Sequence, residues 1–268
     1  MKKIYIVTDL EGVSGVCKFD QVGGEGQKVT DAFNILKSEL NSAIDACKES
    51  GVAEIVIWNG HGVTGSIKLE DIRSGVKFVI GDVLYPAYGI DKTFDGIMLI
   101  GQHPMNGTEN GVLEHSFCNG VYTNVYLNGR RIGEAGLLAA IAGYFDVPMI
   151  FLSGDTAAVK EAKALNNNIV GAAVKDGFSS TAAVTLHPSD AGQLIAENVK
   201  KGLALAGKMK PWKLKGPLTI KIEYSTTSPA DRNSLVPGVK RTGPKSISYT
   251  GKNIIEVAKI FTLLGRIV

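Results

Sequence analysis

The chain has 268 residues, 44% apolar and 21% charged, with a formal net charge of +3. A chain this long buries enough surface to fold without disulfides or metal, and its ordinary apolar fraction excludes intrinsic disorder. The charge is lower than a dedicated nucleic-acid binder concentrates. Cys17, Cys47 and Cys118 are an odd number with no CxxC spacing, which argues against a secreted disulfide framework. Asp9 and Glu11 interrupt the apolar run after Lys2 and Lys3, so no signal peptide is read there. The longest apolar stretch, residues 135–145, falls short of a membrane span. A cytoplasmic protein is expected, with neither membrane nor nucleic acid as partner.

Ile4–Thr8 reads as a buried strand that ends in Asp9-Leu10-Glu11-Gly12. After a glycine-rich loop, Phe33, Leu36, Leu40, Ile44 and Cys47 recur at helical spacing, and Gly51 closes that helix. Strands follow at Ile55–Trp58, Val76–Ile80 and Ile97–Ile100, the first running into Asn59-Gly60-His61-Gly62 and the last into Gly101-Gln102-His103. Residues 121–132 form a hairpin around Asn128-Gly129, the pair that suits a type I′ turn. Gly133-Glu134 opens an Ala/Leu helix, Pro148–Leu152 is a strand, and Thr156–Leu165 is a helix. Pro188 starts a long helix towards Leu205, and Lys208–Gly216 reads as a linker. A strand at Leu218–Tyr224, another around Ser246–Tyr249 and a last helix begun by Thr250 complete the chain. This alternation predicts an α/β fold, a mainly parallel sheet flanked by helices, with a small C-terminal α+β lobe. The division expected is a metal-binding catalytic domain over residues 1–210 and a lobe over 217–268.

In open parallel sheets, ligands sit just outside the carboxyl ends of the strands. Asp9 and Glu11 follow the first strand, His61 the second and His103 a later one, so the fold class alone brings them to one edge. Alternate residues of an extended chain share a face, which lets the two carboxylates of Asp9-x-Glu11 close on one cation. Alone, that pair reads more readily as an N-cap Asp beside a solvated glutamate. Glu134 alone could merely complement a helix dipole. Taken together, three carboxylates and two imidazoles suit zinc or a neighbouring first-row metal. Five donors exceed what one tetrahedral zinc needs, which favours a dinuclear site with a bridging carboxylate. His115, twelve residues past His103, could move protons beside such a pair at neutral pH. His187 is assigned no chemistry.

Thr8-Asp9-Leu10-Glu11-Gly12-Val13-Ser14-Gly15 resembles the opening motif of the zinc-dependent D-aminopeptidases associated with bacterial dipeptide transport. The resemblance continues in order through Asn59-Gly60-His61, Gly101-Gln102-His103, Glu114-His115-Ser116, Gly133-Glu134-Ala135-Gly136-Leu137 and Ser153-Gly154-Asp155. It implies two zinc ions per subunit on Asp9, Glu11, His61, His103 and Glu134, and a catalytic histidine at His115, described in the family as a nucleophile. It also implies a homodecamer of two stacked pentameric rings and short peptide substrates with an N-terminal D-residue, notably D-alanine.

Hence the expected function is a metallo-aminopeptidase. Two other readings stand beside it. One is a metal-dependent phosphatase, because Asp9-Leu10-Glu11-Gly12 superficially resembles the DxDG motif of haloacid-dehalogenase-type enzymes. There, however, a Glu would replace the second Asp and histidines would be surplus to magnesium. The other is a non-catalytic peptide-binding ring protein. His115 speaks against it, as a spare titrating group beside a site already fully liganded.

Overall fold

A computed structural model describes residues 2–62 and 67–267. The chain opens with strand β1 (Lys2–Thr8), whose Ile4–Thr8 stretch is buried on both faces. Helix α1 (Gln27–Glu49) follows, burying Val29, Ala32, Phe33, Leu36, Leu40, Ala43, Ile44 and Cys47 along one stripe. Glu39 lies in that same stripe and is fully buried. Next come β2 (Val52–Asn59), the short β3 (Lys77–Val79) and β4 (Gly96–Gln102), whose seven residues are all buried. The hairpin β5 (Tyr122–Leu127) and β6 (Arg130–Ile132) turns through Asn128 and Gly129, both with positive φ as a type I′ turn requires.

Helix α2 (Glu134–Tyr144) is buried from Ala135 to Gly143, as expected of a helix apolar all round. Strand β7 (Met149–Asp155) leads into α3 (Thr156–Leu165), followed by β8 (Val170–Ser179), β9 (Ala182–Thr185) and α4 (Pro188–Leu205). The C-terminal segment holds β10 (Leu218–Tyr224), α5 (Ser228–Asn233), β11 (Lys240–Gly243), β12 (Ser246–Gly251) and α6 (Ile254–Gly265).

The larger sheet has the order β3-β2-β1-β4-β7-β8-β9 and is parallel except for β9. Helices α1 and α4 pack together, and α2 contacts α3 and α6. Right-handed crossovers put α1 on one face and α2 with α3 on the other, because the chain leaves β1 in one direction and β4 in the opposite one. The reversal falls between β1 and β4, which makes the crevice outside their carboxyl ends the expected ligand position. A second, antiparallel sheet runs β11-β12-β10-β5-β6. Its hairpin comes from mid-chain and joins the C-terminal strands through pairs such as Ile222 with Val125, so residues before 210 and after 217 share one sheet.

The fold class read from the sequence therefore holds, and five elements differ in detail. Strands β8 and β9, helix α5 and strand β11 were not anticipated. Gly171, Ala172, Ala173, Lys175, Asp176 and Gly177 carry little β-propensity, and β8 is a strand because β7 pairs along it. The final helix begins at Ile254 behind an Asn253 cap rather than at Thr250, which is retained by β12.

Candidate metal centre

Three strand ends are laced together before any site side chain is considered. The Asp9 amide donates to the Ile100 carbonyl at 2.8 Å, the Gly12 amide to Gly101 at 2.7 Å, and the Gly60 amide to Thr8 at 2.8 Å. Gly101 has φ +77°, and a Cβ there would fall 2.2 Å from the Asp9 carbonyl oxygen. Only glycine allows β4 to approach β1 so closely at this point.

The five residues expected as ligands converge at this edge. Asp9 and Glu11 are each 5% exposed, and His103 is 3% exposed. His61 Nδ1 lies 3.2 Å from Asp9 Oδ1 and 3.1 Å from Glu11 Oε2. His103 Nε2 lies 3.4 Å from Asp9 Oδ2 and 3.3 Å from Glu134 Oε1. The two oxygens of Asp9 thus face different imidazoles. Two donor clusters result, Asp9 with Glu11 and His61, and His103 with His115 and Glu134, each with its ligand atoms within 4.8 Å of one another.

Backbone carbonyls set the tautomers. His61 Nε2 is 2.8 Å from the Val22 carbonyl oxygen, and His103 Nδ1 is 3.0 Å from that of Pro104. Each carbonyl requires an N–H, which leaves the opposite ring nitrogen of a neutral imidazole with a lone pair aimed at carboxylates. Lone pair against carboxylate is repulsive unless a proton or a cation lies between. A second ring N–H held by a carbonyl is the usual support of a metal-ligating histidine, so the donor set fits a divalent metal such as zinc.

The electrostatics of the bare chain tell the same story. Burial first, and then the Glu11 carboxylate, push Asp9 up to about 7. For Glu11 burial acts upward, but the His61 hydrogen bond and charge outweigh it and hold the group well below its usual range. Burial would lower His61, yet Asp9 and Glu11 raise it to about 11. His103 is likewise raised well above its ordinary value, with Glu134 and Asp9 overcoming burial. The site holds positive charge tightly, which is the requirement for binding a cation.

His115 is 8% exposed and stacks on His103 with ring centroids 3.9 Å apart and planes 13° apart. Its Nδ1 is 2.8 Å from the Leu113 carbonyl oxygen, so Nε2 carries the lone pair. Burial, and then the His103 charge, lower its pKa. Two left-handed residues flank it, Leu113 at φ +52° and Phe117 at φ +62°, and both serve the site. The Leu113 carbonyl holds His115, while the Phe117 amide donates to Glu134 Oε1 at 2.7 Å. His187 lies elsewhere, capping α4.

Other residues, given no role from the sequence, hold these side chains and the loop between them in place. Gln102 Nε2 donates to Asp9 Oδ2 at 3.2 Å. From α3, Glu161 Oε2 accepts the Met105 amide at 2.8 Å, and burial raises its carboxyl to about 7. Asp155 caps α3 through Ala158 at 2.7 Å and accepts the Val112 amide at 2.6 Å. The loop joining His103 to His115 is therefore held near its start by Glu161 of α3 and near its end by Asp155, the N-cap of that helix. Glu39 alone carried a signal, a charge inside an apolar stripe of α1.

A cavity of about 130 Å³ opens beside the cluster, lined by Asp9 and Glu134 and by apolar groups of Val7, Trp58, Pro86, Phe117 and Leu138. Among the described residues no helix is long and apolar enough to cross a membrane.

Comparison with known proteins identifies the family. The chain is 32% identical over 268 residues to the D-aminopeptidase of Bacillus subtilis (strain 168), covering 99% of this chain and 97% of that one. Its fold superimposes with a TM-score of 0.94 on a solved structure described as the Zn-dependent D-aminopeptidase DppA from Bacillus subtilis, a self-compartmentalizing protease. That pair is 30% identical, and the match covers 99% of this chain and 97% of the other. Residues 1–263 match the model of peptidase family M55, described as D-aminopeptidase. The chain is a hydrolase, and it belongs to the M55 family of D-aminopeptidases.

Proposed function

We propose that the protein is a zinc-dependent aminopeptidase that removes the N-terminal residue of short peptides, D-alanyl peptides among them. Two zinc ions per subunit would be held by Asp9, Glu11, His61, His103 and Glu134, with Asp9 between them. The observation that carries this reading is the split of Asp9, whose Oδ1 faces His61 and whose Oδ2 faces His103. Bound zinc supplies Lewis acidity, which polarises a carbonyl and lowers the pKa of water.

The chain's own residues provide the rest. His115, with Nδ1 committed to Leu113, accepts and returns a proton at Nε2. The family resemblance makes it a nucleophile instead, and a covalent adduct trapped at His115 during turnover would decide for that role. The cavity beside Asp9 and Glu134 has room for a small apolar N-terminal side chain. Assembly into a homodecamer belongs to the same reading and is supported by the relative described as self-compartmentalizing.

The test is hydrolysis of paired D- and L-alanyl dipeptides by metal-quantified protein, with chelation and zinc add-back. Release of the N-terminal residue that is lost on chelation and restored by zinc, faster for the D-peptide, supports the reading. Turnover indifferent to chelation refutes it.

A further inference from the structure

Lys175 is a buried cation that the mechanism above does not use. It lies on β8, opposite Asp155 of β7 and Thr185 of β9, and is 3% exposed. Its Nζ donates to the carbonyl oxygens of Glu11, Val13 at 3.0 Å, and Val16. An ammonium has three N–H donors, and all three are spent on this one loop. No donor remains for substrate, and burying so well hydrated a charge needs a specific return.

The rest of the loop is held with equal completeness. The Gly12 amide donates to the Gly101 carbonyl at 2.7 Å. The Ser14 amide donates to Glu39 Oε1 at 3.0 Å, and the Gly15 amide to Thr185 Oγ1 at 2.8 Å. Carbonyls therefore turn towards Lys175 while the neighbouring amides turn away to acceptors on α1, β4 and β9. Such alternation curls residues 11–16 around the ammonium group. The curl begins at Glu11, whose carbonyl is fixed by Lys175 and whose carboxylate reaches His61.

We propose that Lys175 is the positioning residue for Glu11: by gathering the carbonyls of Glu11, Val13 and Val16, its ammonium group sets the loop path that brings the Glu11 carboxylate to His61. Glu39 completes the clamp from the opposite side through Ser14. The consequence for metal rests on Glu11 being a zinc ligand, as proposed above, whereas the consequence for the loop does not.

The test compares the full-length protein with Lys175→Met, which keeps the chain up to the ammonium group and drops the charge, and with Lys175→Ala, which leaves a space the size of n-propylammonium. Two readouts are taken: zinc titration by equilibrium dialysis, and amide hydrogen exchange of residues 11–16 in metal-free protein. Lys175→Met is expected to bind one zinc as the wild type does and the second about 10–100-fold more weakly. Amides of the loop should exchange at least about tenfold faster in both variants. Added n-propylammonium should restore protection to Lys175→Ala while n-propanol should not, a difference that mere filling of space would not produce. If Lys175→Met fails to fold, Lys175→Ala refolded with and without n-propylammonium takes its place, and an ammonium without effect overturns the proposal. Wild-type exchange rates in both variants also overturn it. Wild-type protein that binds no zinc would sink the metal reading and leave the exchange comparison to decide the clamp.

Discussion

Asp155 offers the most decisive perturbation of the loop that carries His115. Its two carboxylate oxygens have separate tasks, since Oδ1 caps α3 through Ala158 and Oδ2 accepts the Val112 amide. Asp155 is 1% exposed, so neither task passes to solvent when the acceptor is lost. Asp155→Asn keeps one acceptor and replaces the other with an NH2 group facing an amide. Asp155→Ser keeps a helix cap and abandons Val112. Either change costs one hydrogen bond to a charged group, about 2 kcal/mol. Asp155→Ala loses the cap as well, about 1 kcal/mol more. At roughly 2–4 °C per kcal/mol for a chain of this size, the Asn and Ser variants should melt about 4–8 °C below wild type. The Ala variant should melt about 6–12 °C below it. The assay is thermal unfolding of metal-free protein at one fixed concentration, because bound zinc and assembly both raise apparent stability. Asn or Ser variants as stable as wild type, or an Ala variant no worse than Ser, would refute the two-task reading. Turnover should fall with stability, because Val112 precedes the Leu113 carbonyl that orients His115.

Three further outcomes are expected. Burial raises the Glu39 carboxyl against the pull of Ser14 and Lys175, so the folded state favours its protonation more than the unfolded state does. Its contribution to stability is complete below the unfolded value near 4.5 and is lost as pH rises through the raised folded value. Relative to wild type, Glu39→Gln should therefore gain stability between pH 4 and pH 8 in denaturant titrations, and an unchanged difference would contradict this. Trp58→Ala enlarges the cavity beside Asp9. It should shift kcat/KM from alanyl towards leucyl N-termini by at least about tenfold, since even one of the three added carbons is worth that much in an apolar pocket; an unaltered preference places the side chain elsewhere. His115→Ala should lose at least about 100-fold in kcat, the lower range of general acid–base catalysis, while keeping both zinc ions. Near-normal turnover would remove His115 from the chemistry, and lost zinc would make it a ligand.

Four of the five proposed ligands were legible because each follows a strand end. Asp9 and Glu11 follow β1, His61 sits between two glycines after β2, and His103 follows β4. Strand ends converge in this fold class, so positions far apart in the chain become neighbours without knowledge of any contact. Glu134 was legible for a different reason, as a carboxylate at the start of a helix apolar all round. The supporting residues were not legible in this way. Lys175 lies in a strand of weak propensity whose existence depends on β7, Asp155 stands in a motif of the resemblance that implies no role for it, and Glu161 has ordinary sequence surroundings. A buried charge is recognised by what encloses it, and that is fixed only when distant segments pack. The hairpin at Asn128-Gly129 was read correctly from its turn, whereas its partner strand β10, more than ninety residues along, was not assigned to it.

Diffraction from crystals of the zinc-loaded protein, collected on both sides of the zinc absorption edge, asks most directly whether the five side chains grip a metal pair. Two anomalous peaks per chain are predicted, one against Glu11 and His61, the other against His103 and Glu134, with Asp9 touching both. A single peak, or peaks that leave Asp9 on one side, would contradict the dinuclear site.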